Sequence, residues 1–205
     1  MKNFKKHLQN TRNTFDKLYA NRFYQPLVDV SLFAILIFSF HFLYHAWINV
    51  NFYPFRAQID WLFRENSALL FDQSCWVLQH LFGIDIVTHE QTIHILSNQN
   101  QITYVEVAPE CTSLKQWMHW LFLMLLFPGP WKHKLWYIPL GLIVIQFVNV
   151  IRIVGLSLLL IPYPNSFEFL HNYIFKTFFY FMIFLMWLIW VECFVHRKKK
   201  VIHTS

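Results

Sequence analysis

The chain has 205 residues, of which 56% are hydrophobic and 20% aromatic, and it contains only 4 glycines. This composition is too apolar for an ordinary soluble domain, and the charged residues avoid the long apolar segments. The net charge of +6 reflects where the basic residues lie along the chain and does not indicate nucleic acid binding. The sequence therefore predicts an all-α polytopic membrane protein with about four transmembrane helices.

The N-terminal region predicts a cytoplasmic segment and one anchor. Residues 1–26 are polar and basic, and no small-residue cleavage site precedes the first apolar segment. Residues 27–47 are long enough, at about 1.5 Å per residue, to cross a hydrocarbon core of ~30 Å. The segment must be helical because lipid cannot satisfy free backbone amides. We expect it to remain as the first transmembrane anchor.

Residues 48–110 form the only sizeable predicted extramembrane insertion. Trp61–Phe82 has apolar residues at helical spacing together with charged ones, which favours an amphipathic interfacial helix over a fifth span. The range 84–107 alternates polar and β-favouring residues around Ser97-Asn98-Gln99-Asn100, which predicts a β-hairpin leading to Cys111.

Residues 111–195 contain the remaining long apolar segments and predict a three-helix membrane core. The predicted helices cover 113–127, 135–161 and 172–195, separated by the turn Pro128–Lys134 and by the break Pro162-Tyr163-Pro164. Residues 196–205 form a basic tail.

The basic residues predict the orientation in the membrane. Six Lys and Arg lie in residues 1–26, two in the turn at 128–134 and four at 197–200, which is twelve of seventeen. By the positive-inside rule these segments are cytoplasmic, and residues 48–110, with seven acidic and two basic residues, lie outside. Arg152 is 18 residues beyond Lys134, about 27 Å along a helix, so it should lie near the outer interface.

Cys111 is a candidate nucleophile. Ser113 and Gln116 match a capping box, which places Cys111 just before a helix N-terminus, and Lys115 follows one turn later. Both positive influences would favour the thiolate. The alternative is a cysteine with only a packing role, which we assign to Cys75 and Cys193. A Cys75–Cys111 disulfide is a further alternative, although three cysteines do not indicate a disulfide framework.

Arg152 is a candidate anion-binding residue. An arginine within a membrane helix costs at least ~2.5–3.5 kcal/mol on insertion scales, so it normally faces a polar interior and has a function. Gln146 and Asn149 precede it at steps of three and Gly155 follows, which makes a polar stripe on an apolar helix. The alternatives are an arginine that snorkels outward or one that pairs structurally with a carboxylate.

His171 is a candidate proton carrier near the start of the last helix. Glu168, three residues earlier, would lie on the same face and could orient the imidazole. In antiparallel helix pairs, residues equally far from a turn face each other. The midpoint of 111 and 152 is 131.5, inside the first turn, and that of 152 and 171 is 161.5, at the second break. We therefore expect Cys111, Arg152 and His171 at one level.

A histidine-based metal site is a weaker alternative. His41 and His45 are one turn apart on the first span, and His119 follows Cys111 by eight residues. Eleven histidines make chance pairs common, so we predict neither a metal nor another cofactor.

The region 105–190 resembles the exosortase and archaeosortase family of membrane-embedded cysteine transpeptidases. The motifs are Pro-Glu-Cys111-Thr-Ser, Asn149-Val-Ile-Arg152-Ile and Phe-Leu-His171-Asn-Tyr, and the chain resembles the compact, divergent members. Ser113 stands where the family commonly has a smaller residue, often glycine. The resemblance implies catalytic roles for Cys111, Arg152 and His171. From the residue spacing we assign supporting roles to Ser113, Lys115, Asn149 and Glu168.

The resemblance also implies the substrates. They are membrane-anchored proteins whose C-terminal sorting tail has a short motif, an apolar helix and a basic cluster. Such enzymes cut at the motif through a thioester and transfer the new carboxyl end to a cell-surface acceptor. It further implies a multi-pass protein of the inner (plasma) membrane with an extracytoplasmic site. Two alternatives are a non-catalytic scaffold or transporter component with a structural Arg152, and a related protease that uses water as acceptor.

Overall fold

The computed structural model describes residues 25–96 and 102–196. The predicted basic termini and the predicted hairpin turn at 97–100 therefore fall largely or wholly outside the described residues. In chain order the helices are α1 (Gln25–Asn49), α2 (Arg56–His80), α3 (Leu114–Leu126), α4 (Trp131–Leu160) and α5 (Pro164–His196). Helix α5 includes two π-helical stretches, Leu170–Phe175 and Val191–His196.

Three of the described helices, α1, α4 and α5, are long and apolar enough to cross a membrane. This agrees with a polytopic all-α membrane protein, but the predicted count of about four spans is not confirmed. Helix α3 has only 13 residues, a rise of about 20 Å, so it is too short to cross the hydrocarbon core alone.

The turn between α3 and α4 is shorter than predicted. Helix α4 begins at Trp131, directly after Pro130, so the turn does not extend to Lys134. Lys134 is buried in the first turn of α4, where its Nζ donates hydrogen bonds to the carbonyls of Phe127 at 2.7 Å and Leu125 at 3.4 Å. These bonds satisfy carbonyl groups at the C-terminal end of α3. Lys134, which the sequence assigned to the turn, therefore caps the C-terminal end of α3.

The insertion after α1 consists of α2 and a three-stranded antiparallel sheet. Helix α2 starts five residues before the predicted interfacial helix and is not among the candidate spans. The strands are β1 (Ile86–His89), β2 (Thr92–Leu96) and β3 (Ile102–Glu106), in the order β1-β2-β3. Strands β2 and β3 pair across residues 97–101, where the hairpin was predicted, and β1 is an additional strand.

Three apolar cores lie along α4, of which the two largest divide most of its length. Its N-terminal two-thirds packs with α3, α5 and α1 around large, fully buried aromatic side chains, Trp120, Trp187 and Trp190. Gly141 permits this packing because a Cβ there would overlap the Trp120 indole. Its C-terminal third packs against the insertion through a second core that includes Leu70 of α2, Ile93 of β2 and Ile153 of α4. Cys111 lies where the chain passes from the sheet into α3.

Candidate functional site

Cys111 ends the short 3₁₀ turn Pro109–Cys111 that leads into α3. Its carbonyl oxygen accepts a hydrogen bond of 3.0 Å from Nδ2 of Asn149, a residue of α4 with no exposed surface. The same Nδ2 lies 3.5 Å from Oγ of Ser113. A buried amide thus ties the backbone of Cys111 and the side chain of Ser113, on either side of Thr112, to α4.

Ser113 does not form the predicted capping box. Although it stands at the N-cap of α3, its side chain makes no cap hydrogen bond. Its buried hydroxyl instead donates to Oε1 of Gln146, and Oε1 of Gln116 is buried without a partner among the described residues. Because Ser113 is fully buried against α4, the nearest acceptor is a side chain of that helix.

The polar contacts continue from Gln146 to α2. Nε2 of Gln146 donates a 2.9 Å hydrogen bond to Oε1 of Gln73, so four side chains, Gln73, Gln146, Ser113 and Asn149, link α2 to Cys111. Gln146 already belonged to the polar stripe seen in the sequence. Gln73 was missed, because one glutamine on an amphipathic helix looks like any solvent-facing residue.

Arg152 and His171 are in direct contact. Nη2 of Arg152 lies 3.0 Å from Nε2 and 3.4 Å from Nδ1 of His171. Arg152 is 8% exposed, and its Nε has no hydrogen-bond partner among the described residues. Since a guanidinium only donates, the ring nitrogen that it contacts accepts the bond and carries no proton. The structure thus brings two of the three predicted site residues together.

The contacts between α3 and α4 correct the predicted level of Cys111. The indole nitrogens of Trp117 and Trp120 donate to the carbonyls of Leu142 and Ile138. The midpoints in residue number of these two pairs, and of the pair Cys111 and Asn149, lie between 129 and 130. The sequence predicts a midpoint of 131.5 for the facing residues. Because the turn is shorter than predicted, Asn149 is level with Cys111 and Arg152 lies one helical turn further along α4. The Arg152 charge still acts on the Cys111 thiol.

Two of the predicted supporting residues do not contact the site residues they were expected to assist. Glu168 is exposed and makes no hydrogen bond within the described part of the chain, whereas the His171 ring stacks on Phe167, one turn earlier, at 5.3 Å. Lys115 points toward α1, where its Nζ lies 4.9 Å from the centre of the Tyr44 ring. Gly155 does not leave an open polar stripe, because the Phe175 ring fills the space beside it.

The pKa of the Cys111 thiol is shifted in the direction opposite to the one predicted from the sequence. Burial raises its pKa above the usual value, and the positive charge of Arg152 opposes this shift without reversing it. Lys115 is not among the groups that act on the thiol, so the prediction of a depressed pKa was wrong. All three cysteines are free. Burial, with a contribution from Asp72, raises the pKa of Cys75 to about 11, and Cys193 is exposed rather than buried.

We predict that Cys111 reacts slowly with thiol reagents at neutral pH. In a Cys75→Ser/Cys193→Ser protein, the labelling rate should still be rising above the pKa of about 8.5 of a free cysteine, because only the thiolate reacts. Replacing Arg152 by glutamine should move the midpoint to higher pH, since the removed charge favours the thiolate. Alkylation rates measured between pH 6 and 11 test this, and a midpoint below that of free cysteine would contradict it.

The histidines considered for a metal site do not converge with other ligands. The rings of His41 and His45 are 4.5 Å apart, while His119 stacks on Phe40 at 4.3 Å. Within residues 25–96 and 102–196, no three side chains of His, Cys, Asp or Glu form a potential metal-binding group.

The comparison with protein families decides the identity of the chain. The model of the transmembrane exosortase family (Exosortase_EpsH) matches residues 25–188, which includes all three predicted site residues. The chain belongs to the transmembrane exosortase family. Comparisons of this exosortase with curated proteins and with solved structures found no significant match. Family membership supports a membrane protein with a transpeptidase-like role.

Proposed function

We propose that this exosortase is a cysteine transpeptidase that cleaves C-terminal sorting signals and transfers the shortened protein to a cell-surface acceptor. Cys111 is the nucleophile, Arg152 the oxyanion-binding residue and His171 the proton carrier. The contact of Arg152 with His171, one helical turn from the Asn149 bond to the Cys111 backbone, is the observation that supports this assignment.

The raised pKa of Cys111 requires a base, and His171 takes that role. The thiol transfers its proton to His171 while Sγ bonds to the scissile carbonyl carbon, and the carbonyl electron pair moves to oxygen. Arg152 holds this oxyanion. When the intermediate collapses, the C–N bond breaks, the leaving amine takes the proton from His171 and a thioester remains. The acceptor then loses a proton to His171 and attacks the thioester carbonyl carbon. The C–S bond breaks, and the Cys111 sulfur takes the proton back from His171, which regenerates the thiol and the free base.

The Arg152–His171 contact suggests how these steps are ordered. In the resting site, the lone pair of one His171 nitrogen accepts a bond from the guanidinium, so it is occupied. A substrate carbonyl that attracts Arg152 releases this lone pair for the Cys111 proton. Substrate binding therefore prepares the base, and the thiol stays protonated until then.

The proposed orientation places this site on the extracytoplasmic side of the inner membrane. We predict that both termini are cytoplasmic and that residues 48–110 lie outside. Twelve of the seventeen basic residues fall in residues 1–26, 128–134 and 197–200, and the insertion has only two. Reporter fusions at His203 and at Asp85, within the insertion, measure the two sides. A fusion at His203 that is active only outside would contradict this topology, and fusions at the two positions serve as mutual controls.

The thioester provides the direct test of the proposed reaction. In membranes that contain the exosortase and a protein ending in a short motif, an apolar helix and a basic cluster, hydroxylamine should intercept the acyl-enzyme and release a substrate hydroxamate. It reacts readily with thioesters, so the amount formed should rise with hydroxylamine concentration. Mass spectrometry of the substrate C-terminus measures it, with enzyme-free membranes as the control.

The alternatives give other products in the same experiment. A protease that uses water yields a free carboxyl terminus in the absence of hydroxylamine, with no acceptor-linked form. A scaffold or transporter component leaves the tail intact under every condition. Either result would exclude transpeptidation for that substrate.

A further inference from the structure

A groove of about 790 Å³ lies between α2, α3 and α4, and the proposed mechanism does not use it. Its walls are mainly apolar and include Trp76 of α2, Trp117 of α3 and Leu142 of α4. The Trp117 indole is fixed in the wall by its 3.1 Å hydrogen bond to the Leu142 carbonyl. Ile143 and Phe147 of α4 are 67% and 66% exposed, so the groove opens on the lipid-facing side of a helix that can span the membrane.

The groove begins beside the proposed active site and runs toward the cytoplasmic end of α4. Its lining on α4 extends from Val150 to Pro139, a length of about 16 Å. Val150 follows Asn149, the residue that holds the Cys111 backbone, and belongs to the apolar core against which Cys111 packs. A ligand in this groove therefore has one end at the nucleophile and the other end deeper in the membrane.

Among the described residues that line the groove, one is charged. Asp72 of α2 is exposed, and no hydrogen bond or salt bridge within the described ranges engages its carboxylate. Its neighbour Gln73 bonds to Gln146, which lies twelve residues, about 18 Å, beyond Lys134 along α4. Because a hydrocarbon core is ~30 Å thick, this carboxylate lies at the depth of the acyl chains. An ionised group at that depth is costly unless it has a partner, and such groups commonly mark the path of a substrate.

The N-terminal end of an apolar helix provides the partner that Asp72 lacks. The first four backbone N–H groups of a helix have no acceptor within that helix, and the helix dipole makes this end positive. A carboxylate beside them accepts their hydrogen bonds, as acidic N-cap residues do. The acyl chain of a lipid has no donor to offer, and an anionic headgroup would be repelled. The groove and its carboxylate therefore match a helix that is apolar along its length and begins at the level of the active site.

We propose that the groove between α2, α3 and α4 binds the apolar helix of the sorting tail, with Asp72 at the N-terminal end of that helix. This inference rests on the proposed function, because it concerns the substrate of the same site. In such a tail the short motif precedes the helix, so a helix that begins beside Asp72 leaves the motif at Cys111 and directs the basic cluster toward the cytoplasm. About eleven helical residues fit along the groove, and the rest of the tail helix lies in lipid.

Photocrosslinking tests the groove without requiring catalysis. The photoreactive residue p-benzoylphenylalanine replaces Phe147 in the Cys111→Ala protein, in membranes that contain a protein with a sorting tail. Irradiation should join the two proteins. Mass spectrometry should map the bond to about the first two turns of the apolar helix, because Phe147 is only about 3 Å along α4 from Asn149. The control position is Phe181, an exposed phenylalanine of α5, which should give no adduct with the tail.

Variants of the active enzyme measure what the groove contributes to substrate affinity. Asp72→Asn should raise KM about three- to tenfold with kcat nearly unchanged, because the carboxylate contacts the tail helix equally in the ground and transition states. Asp72→Glu keeps the charge and should restore most of the affinity. Ile143→Trp narrows the groove and should raise KM about tenfold or more. Asp85→Asn and Ile189→Trp make the same changes at exposed positions outside the groove and should leave KM unchanged.

The outcomes separate this proposal from the proposed mechanism. If Cys111→Ala retains processing while Phe147 forms the adduct, the mechanism fails and the groove assignment stands. If processing depends on Cys111 but Phe147 joins only lipid or a second copy of the chain, the groove assignment alone fails. An adduct with the tail at equal yield from Phe181, or an unchanged KM in both groove variants, would also overturn the proposal.

Discussion

Replacement of Cys111 by alanine should abolish processing of a sorting-tail substrate, with a fall on the order of 10³-fold or more. The thioester requires the sulfur atom, so the hydroxamate formed with hydroxylamine should disappear as well. Cys111→Ser should be almost as inactive, because a hydroxyl is a far weaker nucleophile than a thiolate. The measurement is processed substrate per molecule of folded enzyme in membranes.

Cys75→Ser and Cys193→Ser are the matched controls for Cys111. Both cysteines are free, and Cys193 is exposed, so their replacement should leave processing within about twofold. If Cys111→Ala retains processing while its protein level is normal, Cys111 is not the nucleophile. That result would leave the scaffold interpretation, or a different catalytic residue, for this exosortase.

Replacement of Arg152 by lysine should reduce processing by about 10²- to 10³-fold, the range observed when one oxyanion donor is removed. Lysine keeps the charge but loses the planar, forked donors that contact His171 and would contact the oxyanion. Because the described residues include no carboxylate in a salt bridge with Arg152, we expect membrane insertion and protein level to stay near normal.

The Arg152 experiment separates catalysis from structure. An arginine with a purely structural role predicts a protein that is less abundant but as active per folded molecule. His171→Ala beside it should be similarly inactive if the two residues share one site. Asn149→Asp is a further comparison, since it keeps the size of the side chain but replaces the donor to the Cys111 carbonyl with an acceptor.

The sequence by itself determined that the chain is a helical membrane protein, and it singled out the polar residues that are unusual in apolar helices. Long apolar segments cannot remain in water and must be helical in lipid, so membrane helices follow from composition alone. Arg152 stands out in the same way because it lies among apolar residues. The break at Pro162 and Pro164 predicted that His171 faces Arg152, and in the structure Nη2 of Arg152 lies 3.0 Å from Nε2 of His171.

Only the tertiary structure decided which side chains face one another and what they experience. The turn that ends at Pro130 set the register of α3 on α4, so Asn149 rather than Arg152 holds the Cys111 backbone. The partners of Ser113 and Lys115 lie on other helices, which local capping rules do not consider. The Cys111 thiol is partly buried by residues distant in sequence, and that desolvation outweighs the nearby positive charge. Local patterns determine elements because backbone bonding is local, whereas burial depends on the packing of the whole chain.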